Sequence, residues 1–387
     1  MNQPATQRTR VMVVFGGRSS EHSISCATAG GVLGAIDRDR YEVIPVGITR
    51  DGAWVLEADD PERFQLNPES LPEIVDNGTR IMLPDTVNSR EVFVDENGAR
   101  RSLGVIDMAF PILHGPFGED GTVQGMLDLV GLPYVGSSVF AASVGMDKHY
   151  TKLILKHAGI KVADGVTITE RRWMHEPEQV RAELIDAVGF PMFVKPARAG
   201  SSVGVSKVHD ASEIDEALRV AFLEDDHLLV EKAVIGREVE IAILESMPGE
   251  RPRASVAGEI KLSGAEFYDF AAKYLNGPGV ELECPAALTD AELAEMQELG
   301  IRAFEALGAA GLSRVDFFLT EDGFVINEVN TMPGFTPISM FPKCWRASGL
   351  SYPELITELL EVALAHDREQ LARRERSLAA RWGVAAR

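Results

Sequence analysis

The chain has 387 residues, 45% hydrophobic and 25% charged, with 59 acidic against 38 basic side chains and a formal net charge of −21. Such a length suits two or three domains with substantial cores, and the composition is that of an ordinary globular protein. So acidic a chain argues against nucleic acid or an anionic membrane as the main partner, though not against a local basic pocket.

Cys26, Cys284 and Cys344 are far apart and lack CxxC spacing, so they read as reduced thiols in a cytoplasmic protein. No 18-residue apolar run is present, and the polar start MNQPATQRTR lacks the hydrophobic stretch of a secretory signal.

Residues 10–15 (RVMVVF) form a short apolar run, the pattern of a buried parallel strand. Gly16-Gly17 turns the chain, residues 19–34 read as a helix of small residues, and 41–48 as a second strand. In such a βαβ opening, ligands sit beyond the carboxyl ends of the strands. Glu21 falls just there, although an acid at a helix start also suits the helix dipole.

Residues 51–101 are polar and broken by Pro and Gly, with short strands predicted at 80–83 and 91–95. Residues 105–113 (VIDMAFPIL) predict another buried strand, running into the loop His114-Gly-Pro-Phe-Gly-Glu-Asp-Gly121. Thr122 is a candidate cap for a helix over 123–130. Residues 132–136 predict a last strand, and Ser143 caps the next helix, placing a boundary near residue 145.

Lys148, Lys152 and Lys156 recur at i, i+4 on the helix predicted over 146–158, the usual pattern of a solvated face. Lys195 ends a strand over 189–196 and precedes Ala199–Gly204 (AGSSVG), whose N–H and hydroxyl donors suit phosphate oxygens. Strands follow at 227–234, 237–244 and 254–259. Residues 261–285 lack clear periodicity, as functional loops often do, and carry Lys273 and Tyr274. An amphipathic helix is predicted over 288–307.

Residues 314–330 (RVDFFLTEDGFVINEVN) carry a hairpin signal around Glu321-Asp322-Gly323. A three-residue loop pairs Thr320 with Phe324, and counting outward sets Asp316 opposite Glu328 and Arg314 opposite Asn330, all on one face. Opposed carboxylates repel, and a divalent cation between them reverses the sign. An Asp/Glu/Asn set of oxygens suits magnesium bound with phosphates. A loop over 331–337 and a helix over 352–365 follow, with an exposed Arg/Ala-rich helical tail from Asp367.

GGRSSEHSIS, HGPFGEDGTVQG, MDK, VKPARAGSSVGV, EFYDFAAKY, SRVDFF and NEVNTMPGFT, in that order, resemble the D-alanine–D-alanine ligases of the ATP-grasp superfamily. The resemblance implies an N-terminal open parallel α/β domain (1–145) followed by a two-domain ATP-grasp fold (α+β) clamping ATP. Those domains are 146–236 and 237–387, the latter with a lid loop over 261–285 and a helical tail. It also implies a reaction in which one D-alanine is phosphorylated by ATP and the amine of a second attacks the acyl phosphate.

Carried over residue by residue, Glu21 takes the first ammonium, with His114 beside it. Lys148, Lys195, Ser202, Gly204 and Lys273 meet the phosphates, and Ser201 and Tyr274 bond with Glu21 to close the site. Glu231, Lys232, Val234 and Glu238 hold adenine and ribose. Asp316, Glu328 and Asn330 ligate two Mg2+ ions, with Mn2+ able to substitute. Arg314 and the Gly334 amide face the oxyanion, and Ser339 the second D-alanine's carboxylate. A homodimer is also implied.

The main rival is a ligase of the same superfamily for D-lactate or D-serine. A nucleotide-dependent oxidoreductase is disfavoured because GxGxxG and its companion acid are missing. A non-catalytic relative is expected to lack one of Asp316, Glu328 or Arg314, and all three are present.

Overall fold

The computed structural model describes residues 8–67, 70–87, 89–262 and 280–382. Strand β1 (Thr9–Gly16) lies parallel to β2 (Tyr41–Ile48), and β3 (Trp54–Leu56) adds an antiparallel edge. Between β1 and β2 runs helix α1 (His22–Ala35). Strands β4 (Thr79–Met82), β5 (Glu91–Glu96) and β6 (Ala99–Val105) make a separate antiparallel sheet from the polar insertion. The apolar run after it then yields β7 (Met108–Pro111), parallel to β1. Residues 132–136 form no strand; a single bridge joins Tyr134 to Ala109.

Helix α2 (Thr122–Val130) begins with Thr122 itself, while Ser143 lies inside helix α3 (Val139–Met146) and donates to the Asp120 carbonyl. Asp147 is the residue that caps helix α4 (Lys148–His157), accepting from the His149 and Tyr150 amides. A carboxylate reaches those unpaired amides as well as a hydroxyl does.

The central sheet is antiparallel, in the order β10 (Ser206–Val208), β9 (Met192–Pro196), β11 (His227–Lys232), β8 (Gly165–Thr169). The last sheet is also antiparallel, in the order β14 (Val280–Glu283), β13 (Arg253–Leu262), β12 (Arg237–Leu244), β15 (Leu312–Thr320), β16 (Gly323–Asn330). The ends of the segment 261–285 therefore pair as strands, Leu262 with Val280, while Lys273 and Tyr274 lie outside the described residues.

Alternation along β12 and β15 decides what each face of the last sheet does. Val239, Ile241, Ile243, Val315 and Phe317 point into a core shared with α4 and the capped helix Asp290–Leu307. On the opposite face Ala242, Leu244 and Leu312 join a second core with the first sheet, Phe335, Phe341 and Leu355. Further along that same face come Glu240, two residues before Ala242, and Arg314 and Asp316, two and four residues after Leu312. The face thus passes from apolar core to charged site within one strand. The C-terminal helix runs unbroken from Tyr352 to Trp382, and Asp367 on it pairs with Arg90.

Candidate functional site

The hairpin turns tighter than the residue count implies. Thr320 pairs with Gly323 across a two-residue turn, a register that taken alone sets Asp316 against Asn327. A bulge between Asp316 and Phe317 takes up Asn327 and restores Asp316 opposite Glu328 and Arg314 opposite Asn330. The expected face therefore forms by a different route. The displaced Asn327 is put to use, its Oδ1 accepting from Lys195 Nζ at 3.2 Å.

Strand β12 adds a third acid that the hairpin alone does not reveal, because Glu240 pairs with Asp316. Glu240, Asp316 and Glu328 make a row across three strands. Arg314 holds Asp316 in a bidentate pair at 2.7 Å and approaches Glu240 at 3.1 Å. Burial works against the guanidinium charge, but Asp316 and Glu240 outweigh it and hold Arg314 well above its ordinary pKa. Asn330 Nδ2 donates to Asp316 at 3.0 Å. Lys148 Nζ lies 3.6 Å from Glu328 and donates to the Ala199 carbonyl at 2.7 Å. Three acids against two cations leave the row an oxygen-rich face with excess negative charge. Among the described residues, only Asp225, Asp226 and His227 gather three metal-ligating side chains closely, and Arg198 pairs with both acids there.

One cavity of about 380 Å³ lies between this face and the first sheet, lined by Glu21, His114, Glu119, Ser201, Arg314, Gly334, Ser339 and Lys343 among others. Glu21 sits at the start of α1, beyond the end of β1, and accepts from Ser201 Oγ at 2.5 Å. Gly115 is left-handed with a φ of 72°, and a Cβ there would come within 2.8 Å of that carboxylate, so a side chain at this position would be strained and would displace it. Ser201 and Ser202 are both left-handed, with φ of 52° and 59°. That costs L-residues roughly 1–2 kcal/mol each, which the bond to Glu21 offsets in part.

His114 is buried, with Nε2 against the Thr28 hydroxyl at 3.1 Å and Nδ1 against the Met332 carbonyl at 3.3 Å. The carbonyl can only accept, so Nδ1 carries the hydrogen and Nε2 accepts. Burial lowers the imidazole pKa, in keeping with a neutral ring that positions its neighbours. Glu119, which the residue pattern did not single out, accepts from the Gly115 amide at 2.6 Å. Burial first, and then Glu21, pushes its carboxyl up to about 8.

A second cavity of about 200 Å³ adjoins the first, lined by Lys195, Ser202, Glu231, Lys232, Val234, Glu238 and Asp316 among others. Lys148, Ala199, Ser201, Glu240 and Glu328 line both. The lysine stripe on α4 is not a solvated face. Lys156 is exposed, but Lys152 is buried in an ion pair with Glu231, which also holds Lys195 at 3.0 Å. Burial would raise the Glu231 carboxyl, yet Lys195 and Lys152 lower it on balance. Gly204 is the one described candidate on neither wall; a Cβ there would meet Glu224 and Pro196 at 2.9 Å.

Among the described residues no helix is long and apolar enough to cross a membrane. Two family models match the chain, "D-ala D-ala ligase N-terminus" over residues 10–137 and "D-ala D-ala ligase C-terminus" over residues 154–361. A D-alanine--D-alanine ligase of Arthrobacter sp. (strain FB24) is 50% identical over 93% of this chain and 95% of its own. One from Streptomyces coelicolor is 51% identical over 92% and 93%. Among solved structures, the D-alanine-D-alanine ligase of Coxiella burnetii superposes with a TM-score of 0.79 at 33% identity, covering 97% of this chain and 99% of that one. The VanG D-Ala:D-Ser ligase of Enterococcus faecalis gives 0.80 at 32%, covering 92% and 100%.

Proposed function

The chain belongs to the D-alanine–D-alanine ligase family and joins two D-alanines at the expense of ATP; from that premise we propose how the two adjoining cavities divide the work. The observation that carries the reading is their common wall of Lys148, Ala199, Ser201, Glu240 and Glu328. A phosphoryl group leaving a nucleotide in the smaller cavity meets there a carboxylate held in the larger one.

In this reading the smaller cavity takes ATP. Glu231, Lys232, Val234 and Glu238 meet adenine and ribose, and Glu231, between Lys152 and Lys195, also fixes the position of Lys195. Lys148, Lys195 and the Ser201–Gly204 loop meet the phosphates. Asp316, Glu328 and the Asn330 amide oxygen would hold two Mg2+ ions, or Mn2+, and the oxygen-only row with its excess negative charge fits hard divalent cations. When bound, such ions neutralise phosphate charge during transfer. Lys273 is assigned to the γ-phosphate and Tyr274 to Ser201, both outside the described residues.

In the larger cavity Glu21 takes the ammonium of the first D-alanine. Glu119, kept protonated by burial, spares it a second negative charge, and His114 holds the loop beside it. The first carboxylate oxygen attacks the γ-phosphorus and ADP leaves. The amine of the second D-alanine, its carboxylate at Ser339, then attacks the carbonyl carbon. Arg314 and the Gly334 amide stand where negative charge collects on the carbonyl oxygen, a role worth roughly 3–4 kcal/mol per donor in comparable sites. Inorganic phosphate leaves as the peptide bond forms.

We divide the chain into domains 1–145, 146–236 and 237–387, one around each main sheet, and place the enzyme in the cytoplasm as a homodimer. Sedimentation velocity tests the dimer. The substrate assignment is tested by offering D-alanine, D-lactate and D-serine together with ATP and magnesium. D-alanyl-D-alanine as the dominant product supports it; a dominant depsipeptide or D-alanyl-D-serine overturns it.

A further inference from the structure

Cys284 and Cys344 are separated by 60 residues, yet their sulfurs lie 3.8 Å apart. Both are held against β13. Cys284 directly follows β14, which pairs with β13 through Glu283 and Glu259. Cys344 lies on the helix Met340–Ala347, which packs so tightly on β13 that a Cβ at Gly258 would come within 2.1 Å of the Met340 sulfur. A disulfide requires about 2.05 Å between sulfurs, so the gap to close is under about 2 Å.

The two thiols are unequal. Cys344 is buried, whereas Cys284 is only partly so. The hydrogen bond shared with Cys344, together with Lys343 and Arg346, lowers the Cys284 thiol, while the same partnership and burial raise Cys344. That is the asymmetry of an attacking and a resolving cysteine. Cys26 contrasts with both: it is fully buried in the core shared with the first sheet, its thiol pushed up to about 12 mainly by burial.

We infer that Cys284 and Cys344 form a peroxide-sensitive dithiol, a modification site at the rim of the larger cavity. The Cys284 thiolate attacks one oxygen of the peroxide, the O–O bond breaks, and hydroxide leaves with the proton Cys284 gave up. Cys284 is then a sulfenic acid. The Cys344 sulfur attacks it, the S–S bond forms as the S–O bond breaks, and the departing hydroxide takes the Cys344 proton. Two thiols are oxidised by two electrons, and one hydrogen peroxide becomes two waters.

The pair bears on the site through its neighbours. Leu282, two residues before Cys284, and Lys343, adjoining Cys344, both line the larger cavity, as does Ser339 at the start of the same helix. Drawing the sulfurs together shifts that rim, so the disulfide raises the KM for D-alanine severalfold and leaves the KM for ATP unchanged. This kinetic effect rests on the larger cavity being the amino-acid site; the thiol chemistry does not.

The test treats the reduced full chain with a small excess of hydrogen peroxide, blocks free thiols, and maps peptides by mass. The expected result is one Cys284–Cys344 cross-link, roughly 2 Da lighter than the two thiols, reversed by dithiothreitol, with Cys26 untouched. Cys344→Ser should instead leave a sulfenic acid on Cys284 that dimedone traps. Cys284 advancing to sulfinic acid while Cys344 remains a free thiol, in the unmutated protein, overturns the dithiol. A fully cross-linked enzyme with an unchanged KM for D-alanine overturns the link to the cavity without touching the substrate assignment, which the unoxidised enzyme's products decide.

Discussion

Ser201 donates to Glu21 at 2.5 Å across 180 residues of sequence, tying the loop of the central sheet to the helix start of the first. The bond is made at the wall shared by the two cavities, where a nucleotide and an amino acid must meet. It holds a serine in a left-handed conformation that an isolated loop disfavours.

Ser201→Ala should therefore loosen the common wall. A hydrogen bond to a carboxylate contributes roughly 1.5–3 kcal/mol, so kcat/KM for D-alanine should fall about tenfold or more. Steady-state phosphate release measures it. A change of less than about twofold would show that the bond plays no part in turnover.

Glu119 links stability to pH. Its carboxyl is raised from 4.5 to about 8 in the folded chain, so the native state binds this proton more tightly than the unfolded chain does. Its contribution is complete below the unfolded value and is lost as pH rises through the folded one. Glu119→Gln removes that loss. Its stability relative to the parent should climb between pH 4.5 and about 8, then level off. Urea unfolding across that range measures the difference; a constant gap would contradict the raised carboxyl.

Glu328→Gln should abolish ATP-dependent turnover while leaving the folded apo protein intact, since it also removes the repulsion between opposed carboxylates. Activity and thermal unfolding, each measured with and without saturating magnesium, separate the two effects. Near-normal turnover in the variant would remove Glu328 from the metal face.

Lys152→Met leaves Glu231 buried with Lys195 as its remaining cation. Breaking a buried pair from one side costs about 3–5 kcal/mol, with Lys195 pulling the figure toward the lower end. The thermal midpoint should fall by several degrees, and the KM for ATP should rise because Glu231, which positions Lys195, loses one of the two cations that hold it. An unchanged midpoint would mean the pair is not formed in solution.

The strand pattern of the last sheet was legible because alternation writes itself into sequence: residues 237–244 are the strand Arg237–Leu244 as expected. The metal face was legible for a partly different reason. The turn is one residue shorter than counted and the bulge at Asn327 one longer, so the two departures cancel at Asp316 and Glu328. Nothing local marks Glu240, and the i, i+4 spacing of Lys152 points to solvent where the fold buries it. Glu240 joins the acidic row through pairing across 76 residues, and Lys152 is buried by a strand 79 residues away. Glu119 stood in a loop already singled out, but its raised carboxyl comes from burial beside Glu21, which only the assembled fold creates.

The most direct test of two cavities joined at one wall follows an oxygen atom. If a D-alanine carboxylate takes the phosphoryl group across that wall, D-alanine labelled with 18O in its carboxyl must hand one labelled oxygen to inorganic phosphate for each dipeptide formed. Mass spectrometry of the released phosphate reads this directly. One 18O per phosphate is the predicted result; phosphate without label alongside normal dipeptide formation would contradict the acyl phosphate and the division of labour built on it.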